Sequence, residues 1–298
     1  MLKLDEKKIR KGKPVGLPYV GSKKKISKKI VEIIKQNFGT NKTVYDLFGG
    51  GGAITAELMI NSMDVVYNDL DKTITDMFNR VLSQDREWIK TLIVSREEFM
   101  VIRDKDNKTV DDELKLLVNS FGNDRKSYLY AKDMSEIKYN LAIEILEKED
   151  VLYGYKKSAT YQKNAYKNID ENDRLEQLER LQRLQQLQRL QQLQQLQQVP
   201  KTTNEDYHYF SDIKDSILYL DPPYENSTNK YKLGKFDSSE FYDWAYEISK
   251  RNTVIISSYE VSDKRFEPVF EFKSARSSLS AQARGNRHEK LFMFKESN

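Results

Sequence analysis

Four consecutive glycines, Gly49–Gly52, stand between a β-rich segment, Thr43-Val44-Tyr45-Asp46-Leu47-Phe48, and a helical one, Ala53-Ile54-Thr55-Ala56-Glu57-Leu58-Met59. A strand that turns through glycines into a helix points to an α/β fold with a parallel sheet. Glycine lets the backbone approach a ligand closely and take positive φ without steric penalty. The helix that follows offers free N–H groups at its N-terminus. Asp64-Val65-Val66-Tyr67-Asn68-Asp69 reads as a second strand ending in an acid, and Asp69 lies twenty positions after Gly49. A doubly wound nucleotide site places the carboxylate that holds ribose hydroxyls at about that distance. The dinucleotide fingerprint is incomplete, because Gly49 and Gly51 supply two glycines but Ile54 occupies the third position. A ligand with a ribose and no pyrophosphate suits this loop better than NAD. The alternative, a flexible turn without a ligand, leaves the placement of helix and acid unexplained.

A second element lies far downstream. Ser216-Ile217-Leu218-Tyr219-Leu220 reads as a buried strand, and Asp221-Pro222-Pro223-Tyr224 follows it directly. Each prolyl ring fixes φ and removes an N–H donor, so the turn is stiff and its carbonyls point in set directions. A stiff turn with one carboxylate, free carbonyl acceptors and one ring can grip a flat molecule bearing an exocyclic amino group. The competing reading is an ordinary strand-end turn.

Taken together and in this order, these elements resemble the Dam-like (D12 class) DNA adenine-N6 methyltransferases, which use S-adenosyl-L-methionine (AdoMet). Pro18-Tyr19-Val20-Gly21-Ser22-Lys23 is similar to the opening segment of that family, with Ser22 where many relatives carry a second glycine. Asp46–Ala53 and Asp221–Tyr224 match its two central motifs, and Val254–Tyr259 and Glu289–Phe294 are weaker echoes. The resemblance covers roughly residues 15–75 and 205–298. It implies a Rossmann-like AdoMet-dependent methyltransferase sheet with a helical target-recognition insert. It also implies that Tyr19, Lys23, Phe48, Gly49, Gly51, Asp69 and Asp221 bind the cofactor, and that Asp221, Pro222, Pro223 and Tyr224 form the catalytic turn. An acidic residue before the catalytic strand contacts the cofactor adenine in this family. Asp206 and Asp212 are the candidates here, and Asp206 is preferred because Tyr207 follows it.

Composition narrows the chemistry. The chain of 298 residues contains no cysteine and two histidines, His208 and His288. Disulfides and thiolate zinc sites are excluded, no metal is expected, and cytosine-carbon methylation through a cysteine nucleophile is impossible. Transfer to a nitrogen is left. No apolar run approaches the ~18–20 residues of a membrane span, and no signal-peptide pattern is seen, so a cytoplasmic location is expected. Net charge is +4, yet residues 1–42 carry thirteen Lys/Arg against three Asp/Glu. Lys23-Lys24-Lys25 with Lys28-Lys29 suits phosphate contact, and Lys24 and Lys25 are the DNA-binding candidates of this cluster. A solvated charged face is the alternative for any single lysine.

The expected organisation is an AdoMet-binding part at 1–75, a helical target-recognition insert at 76–170, a Leu/Gln spacer at 171–200 and a catalytic part at 201–298. In the insert, Phe78, Val81, Leu82, Trp88, Ile89 and Leu92 form a buried helical stripe. The segment Asn119–Tyr128 mixes amide, basic and aromatic residues in a predicted loop, which makes Asn123, Arg125 and Lys126 candidates for DNA contact. Tyr153-Gly154-Tyr155-Lys156-Lys157 and Tyr161–Tyr166 continue in that style. From Leu175 to Leu196 leucine recurs every third residue, with eleven glutamines in the tract 174–198. On an α-helix each step of three turns a leucine by about −60°, so the leucines spiral and form no heptad seam. The sequence therefore predicts a helical excursion into solvent that tolerates loss of whole Leu-Gln-Gln units, with a self-association helix as the alternative.

The implied activity is methylation of adenine N6 in double-stranded DNA, with the target base flipped out of the helix. The protein would act as a monomer, either alone or beside a cognate restriction endonuclease. Competing readings are an RNA adenine-N6 methyltransferase, a cytosine-N4 enzyme (a group that more often has Ser at the Asp221 position) and a non-catalytic DNA-binding module.

Overall fold

The computed structural model describes residues 1–19, 21–150, 152, 154–166, 181–225, 236–272 and 288–295. Val20, Tyr153, Leu175 and Leu178 lie outside the described residues, as does the side chain of Tyr166. The strands are β1 (Val44–Asp46), β2 (Val65–Asn68), β3 (Lys201–Thr203), β4 (Ile217–Leu220), β5 (Thr253–Ser258), β6 (Phe266–Glu271) and β7 (Lys290–Phe294). They form one sheet in the order β3-β2-β1-β4-β5-β7-β6. The first five run parallel, and β7 enters antiparallel between β5 and β6.

Alternation along the strands sorts side chains onto two faces. Ile217 and Tyr219 of β4 and Ile255 of β5 join one apolar layer with Ile30, Ile33 and Ile34 of helix α1 (Ser27–Phe38) and Ile54 and Leu58 of α2 (Ala53–Ile60). Leu218, Leu220, Val254 and Ile256 point the other way, into a layer with Tyr207, Phe210 and Phe241. Strands buried on both faces read as near-continuous apolar runs, which is why β4 and β5 were legible in the sequence. The result is the doubly wound, Rossmann-like sheet expected. Chain order reverses between β1 and β4, the point at whose carboxyl ends open α/β sheets form their crevice. The glycine loop follows β1 and Asp221 follows β4.

Met1–Gly16, Gly21–Thr75 and Val199–Asn298 make one compact unit, and Leu17–Val20 with Asp76–Gln198 makes a second. The second is helical. Helix α3 (Lys72–Leu82) leads into α4 (Arg86–Lys90), α5 (Arg96–Arg103), α6 (Val110–Asn119), α7 (Lys132–Lys148), α8 (Ala159–Tyr166) and α9 (Gln182–Gln194). Phe78, Val81, Leu82, Ile89 and Leu92 are buried as predicted. Trp88 is half-buried, its indole N–H donating to Asp111 Oδ2 at 3.3 Å.

The leucine tract differs from the prediction. Helix α9 packs against α4 and α6, and Leu181, Leu184, Leu187, Leu190 and Leu193 are all fully buried. Four leucines stepping by about −60° sweep about half the helix circumference. The neighbouring helices cover that half, so burial needs no single seam. Leu187→Ala is accordingly expected to destabilise the second unit by about 2–5 kcal/mol. Gln185→Ala, on the exposed side, should stay within about 0.5 kcal/mol of the parent. Urea unfolding followed by circular dichroism measures both, and a Leu187 variant as stable as the Gln185 variant would contradict the packing.

Candidate active site

The glycine loop is held by the ends of the strands around it. Gly49 N donates to Asn68 O at 2.9 Å, and Tyr67 OH donates to Gly50 O at 2.6 Å. A Cβ at Gly49 would run into the Tyr67 ring. Gly52 caps α2 at φ 67°, a left-handed conformation that glycine adopts freely. Gly51 is buried under Gly16, where an added Cβ would stand 3.1 Å from Gly51 O and 3.0 Å from Ala53 Cα. Asp69, just past β2, accepts from Gly50 N at 2.8 Å through Oδ2 and from Asp71 N at 2.9 Å through Oδ1. Burial raises its pKa, against the pull of those two bonds. Phe48 lies against Phe241, Tyr207 and Phe236, with ring centroids 5.7, 6.2 and 6.2 Å away.

Asp46, the last residue of β1, was part of the sequence motif but was given no role there. It is buried beneath the loop, and its Oδ2 accepts from Thr55 Oγ1 at 2.7 Å and Thr55 N at 3.1 Å. Its Oδ1 is buried with no hydrogen-bond partner among the described residues.

At the end of β4, Lys23 is the organising group. Its ammonium donates to Asp221 Oδ1 at 2.5 Å and to Tyr224 OH at 2.8 Å, and stands 3.6 Å from Glu289 Oε1. Tyr224 OH donates to Glu289 Oε2 at 3.1 Å, and Ser257 Oγ donates to Glu289 Oε1 at 2.9 Å. The Tyr224 ring lies 4.7 Å from that of Tyr259. Burial pushes the Asp221 carboxyl up, the Lys23 ammonium pulls it back, and it settles at about 6. Burial works against the Lys23 charge too, but Asp221 and Glu289 outweigh it and leave the lysine above its ordinary value. Glu289 was missed as a site residue. It lies 68 positions after Asp221, and only its place in the weak C-terminal echo marked it.

The other candidates are spread more widely. Asp206 follows β3, caps the turn Tyr207–Phe210 and takes hydrogen bonds from His208 N at 3.0 Å and the His208 ring at 2.6 Å. Asp212 is exposed. Pro222 is buried and Pro223 half-buried. Of the five clustered lysines, Lys23 belongs to the Asp221 turn, Lys28 donates to the Arg10 and Gly12 carbonyls, and Lys29 pairs with Glu6. Lys24 is half-buried and Lys25 exposed. Tyr19, half-buried, falls in the second unit. There Arg125 pairs with Glu113 at 2.9 Å, Asn123 Oδ1 accepts from Gln186 Nε2 at 2.8 Å, and Lys126 is exposed.

A family model described as D12 class N6 adenine-specific DNA methyltransferase matches residues 19–262. No curated protein matches the sequence. Among solved structures, the rRNA methyltransferase aviRa from Streptomyces viridochromogenes is similar at 12% identity and a TM-score of 0.34, over 90% of this chain and 84% of that one. At that score the likeness adds nothing to the sheet order already described.

Asp46 gives the site a pH signature of its own. Burial raises its carboxyl to about 7, opposed by the Thr55 hydrogen bonds. The unfolded reference is about 3.9, so between about pH 4 and 7 the folded chain holds a proton that the unfolded chain has released. Stability contributed here therefore falls as pH rises through that window and levels off above it. Asp46→Asn keeps an acceptor for Thr55 and removes the titration. Without ligand it should melt higher than the parent at pH 8, by a margin that shrinks toward pH 5. Calorimetry at the two pH values checks this, and equal margins would contradict it.

Proposed function

The chain belongs to the D12 class of N6 adenine-specific DNA methyltransferases, and we propose that it transfers the methyl group of AdoMet to N6 of an adenine turned out of duplex DNA. One observation carries the reading: the glycine loop and the Asp221 turn leave adjacent parallel strands at the point where chain order reverses. Crevices at such points are where open α/β sheets take their ligands.

The donor set beside the loop suits AdoMet. The unpartnered, buried Asp46 Oδ1 can accept from a ligand ammonium or hydroxyl. Asp69 stands where ribose hydroxyls need a carboxylate, and its oxygens keep lone pairs beyond the bonds to Gly50 and Asp71. Gly49 and Gly51 let the backbone close on the ligand, and Phe48 with Tyr207 offers an aromatic wall for a purine. Asp206, beside that wall in sequence, is assigned to the cofactor adenine. Bound there, AdoMet supplies an electrophilic methyl on a sulfonium sulfur.

The remaining chemistry belongs to the chain. Adenine N6 is paired and stacked in duplex DNA, so the base must leave the helix before the Asp221 turn can reach it. Tyr224 stacks on the base, its hydroxyl anchored by Lys23 and Glu289. The Asp221 carboxylate accepts a hydrogen bond from one N6–H and the Pro222 carbonyl from the other, and the one proton that N6 gives up on methylation leaves to water. Those bonds draw electron density toward a tetrahedral nitrogen whose lone pair can attack in line. Lys23 keeps Asp221 ionised and aimed, so catalysis comes from positioning and preorganised charge. Target recognition is assigned to the helical insert, with Asn123, Arg125 and Lys126 as contact candidates and Lys24 and Lys25 for phosphates.

Transfer of labelled methyl from AdoMet to duplex DNA, RNA and protein in parallel tests the reading. Label is expected in duplex DNA as N6-methyladenine, and Asp221→Ala should lose at least a hundredfold in rate at saturating AdoMet. Labelling of RNA or protein alone, or an Asp221→Ala variant of near-normal rate, would refute it.

The pH profile tests the role of Lys23. Asp221 must be ionised to accept, so single-turnover methylation should fall as pH drops through about 6. Lys23→Met leaves Asp221 and Glu289 as buried carboxylates without their cation, which raises the Asp221 pKa further. The acid limb of the profile should then move to higher pH. An unmoved limb would separate Lys23 from the ionisation of Asp221.

A further inference from the structure

Arg183 heads the largest fully buried side chains among the described residues, and it comes from the low-complexity tract. Its guanidinium carbon stands 4.8 Å from the ring centroids of both Tyr128 and Tyr130 and 5.9 Å from that of Tyr139. Nη2 donates to Tyr128 OH and Nη1 to Val94 O at 3.4 Å. Nε has no partner, and no carboxylate pairs with this side chain among the described residues. A desolvated cation held only by rings and neutral oxygens is unfavourable beside the glutamine that the repeat uses elsewhere. Where such groups persist, their best-attested use is to fix register, as a buried polar residue does in coiled coils.

Helix α9 has a register problem. Its leucines recur every three residues, so a slip of one triplet, about 4.5 Å along the axis, puts another leucine in each leucine site. Apolar burial alone cannot choose between those placements. The arginine opposes one of them: a slip that brings Gln186 to the ring cage empties it of charge, whereas the opposite slip brings Arg180 in its place. The same helix reaches the loop before Tyr128, because Gln186 Nε2 donates to Asn123 Oδ1 at 2.8 Å. That loop carries Gly122, Asn123 and Arg125 at φ 60°, 60° and 62°. Non-glycine residues hold such angles when their surroundings over-determine them.

We propose that Arg183 holds the Leu/Gln helix against a slip that would put Gln186 in the ring cage and so, through Gln186 and Asn123, fixes the shape of the 119–128 loop that reads the DNA site. It is a positioning residue for specificity, and it rests on the reading of the insert as the recognition element. The low-complexity tract is thereby part of the recognition unit.

The absence of native cysteine allows a direct test in the full chain. Asn123→Cys with Gln186→Cys, treated with a short bis-maleimide, should cross-link in high yield. Adding Arg183→Gln should cut that yield at least fivefold and raise cross-linking of Asn123→Cys to a cysteine one triplet away, at Arg189; Arg183→Cys, which removes the same guanidinium, probes the opposite slip by its own cross-link to Asn123→Cys. In parallel, the parent and the single Arg183→Gln variant would methylate a randomised duplex library that is then sequenced. The variant should lose about tenfold in the ratio of preferred to single-mismatch sites with AdoMet affinity unchanged, and Arg183→Lys should fall between.

An unmoved cross-link with an unmoved site ratio would overturn the proposal. So would loss of helical signal with no new cross-link, which would mean that Arg183 only supports the core. If the parent methylates no DNA, the functional reading fails, and the cross-link arm still decides the register.

Discussion

Every group at the crevice depends on the pairing of β1 with β4. Val44 faces Ile217, Tyr45 faces Leu218 and Asp46 faces Tyr219, and Leu47 N extends the ladder to Tyr219 O at 3.2 Å. These strands lie about 170 positions apart, yet closing a long loop grows more costly only as the logarithm of its length. Doubling the connection adds about 0.6 kcal/mol. The sheet can therefore carry a whole helical unit between β2 and β3 without loosening the register that brings glycine loop and Asp221 turn together. Parallel pairing demands a crossover in any case, and here the crossover has become the insert.

On this frame the chain buries charge where a merely stable protein would bury leucine. Lys23 is enclosed with two carboxylates, and neutralising one ion with another seldom repays desolvation in full. What the arrangement secures is direction. The ammonium is held by Asp221, Tyr224 and Glu289 at once, and Glu289 is held in turn by Ser257 on β5. Four segments remote in sequence thus fix one carboxylate and one ring. Removing any partner leaves an uncompensated buried group, so the cluster behaves as a unit rather than as separable pairs.

What the sequence disclosed follows from the range over which its signals act. The glycine loop, its helix, Asp69 and the Asp-Pro-Pro-Tyr turn are local devices, each written within a few residues, and their strands are apolar throughout because both faces are covered. Membership of the D12 class and the α/β class were legible from them. Glu289 was not, because nothing in its neighbourhood says that a lysine 266 positions earlier will need it. The Leu/Gln tract was misjudged for a related reason. A period of three excludes a single seam but not a packing face, because periodicity describes a helix alone, and how much of its circumference is covered depends on its neighbours. Arg183 compounded the error, since arginine in a polar repeat reads as solvent-facing.

The ionised acids of the crevice share one energetic condition. Asp46 and Asp69 are both raised by burial, and neighbouring carboxylates add to it: Asp221 and Asp69 raise Asp46, Asp71 raises Asp69, and Glu289 and Asp69 raise Asp221. Without ligand, Asp46 is opposed by two donors from Thr55, Asp69 by two backbone N–H groups, and Asp221 by one lysine. On the proposed reading, the ammonium and ribose hydroxyls of AdoMet and the amino group of the target base would supply further donors to these acids. Free energy withheld from folding is then recovered on binding, because each added donor favours the ionised state that burial opposes. A site built from satisfied groups would be more stable and would have less to offer a ligand, which is the usual tension between stability and activity. The same withholding aids discrimination, since a ligand that lacks one of those donors leaves a buried carboxylate unpaired.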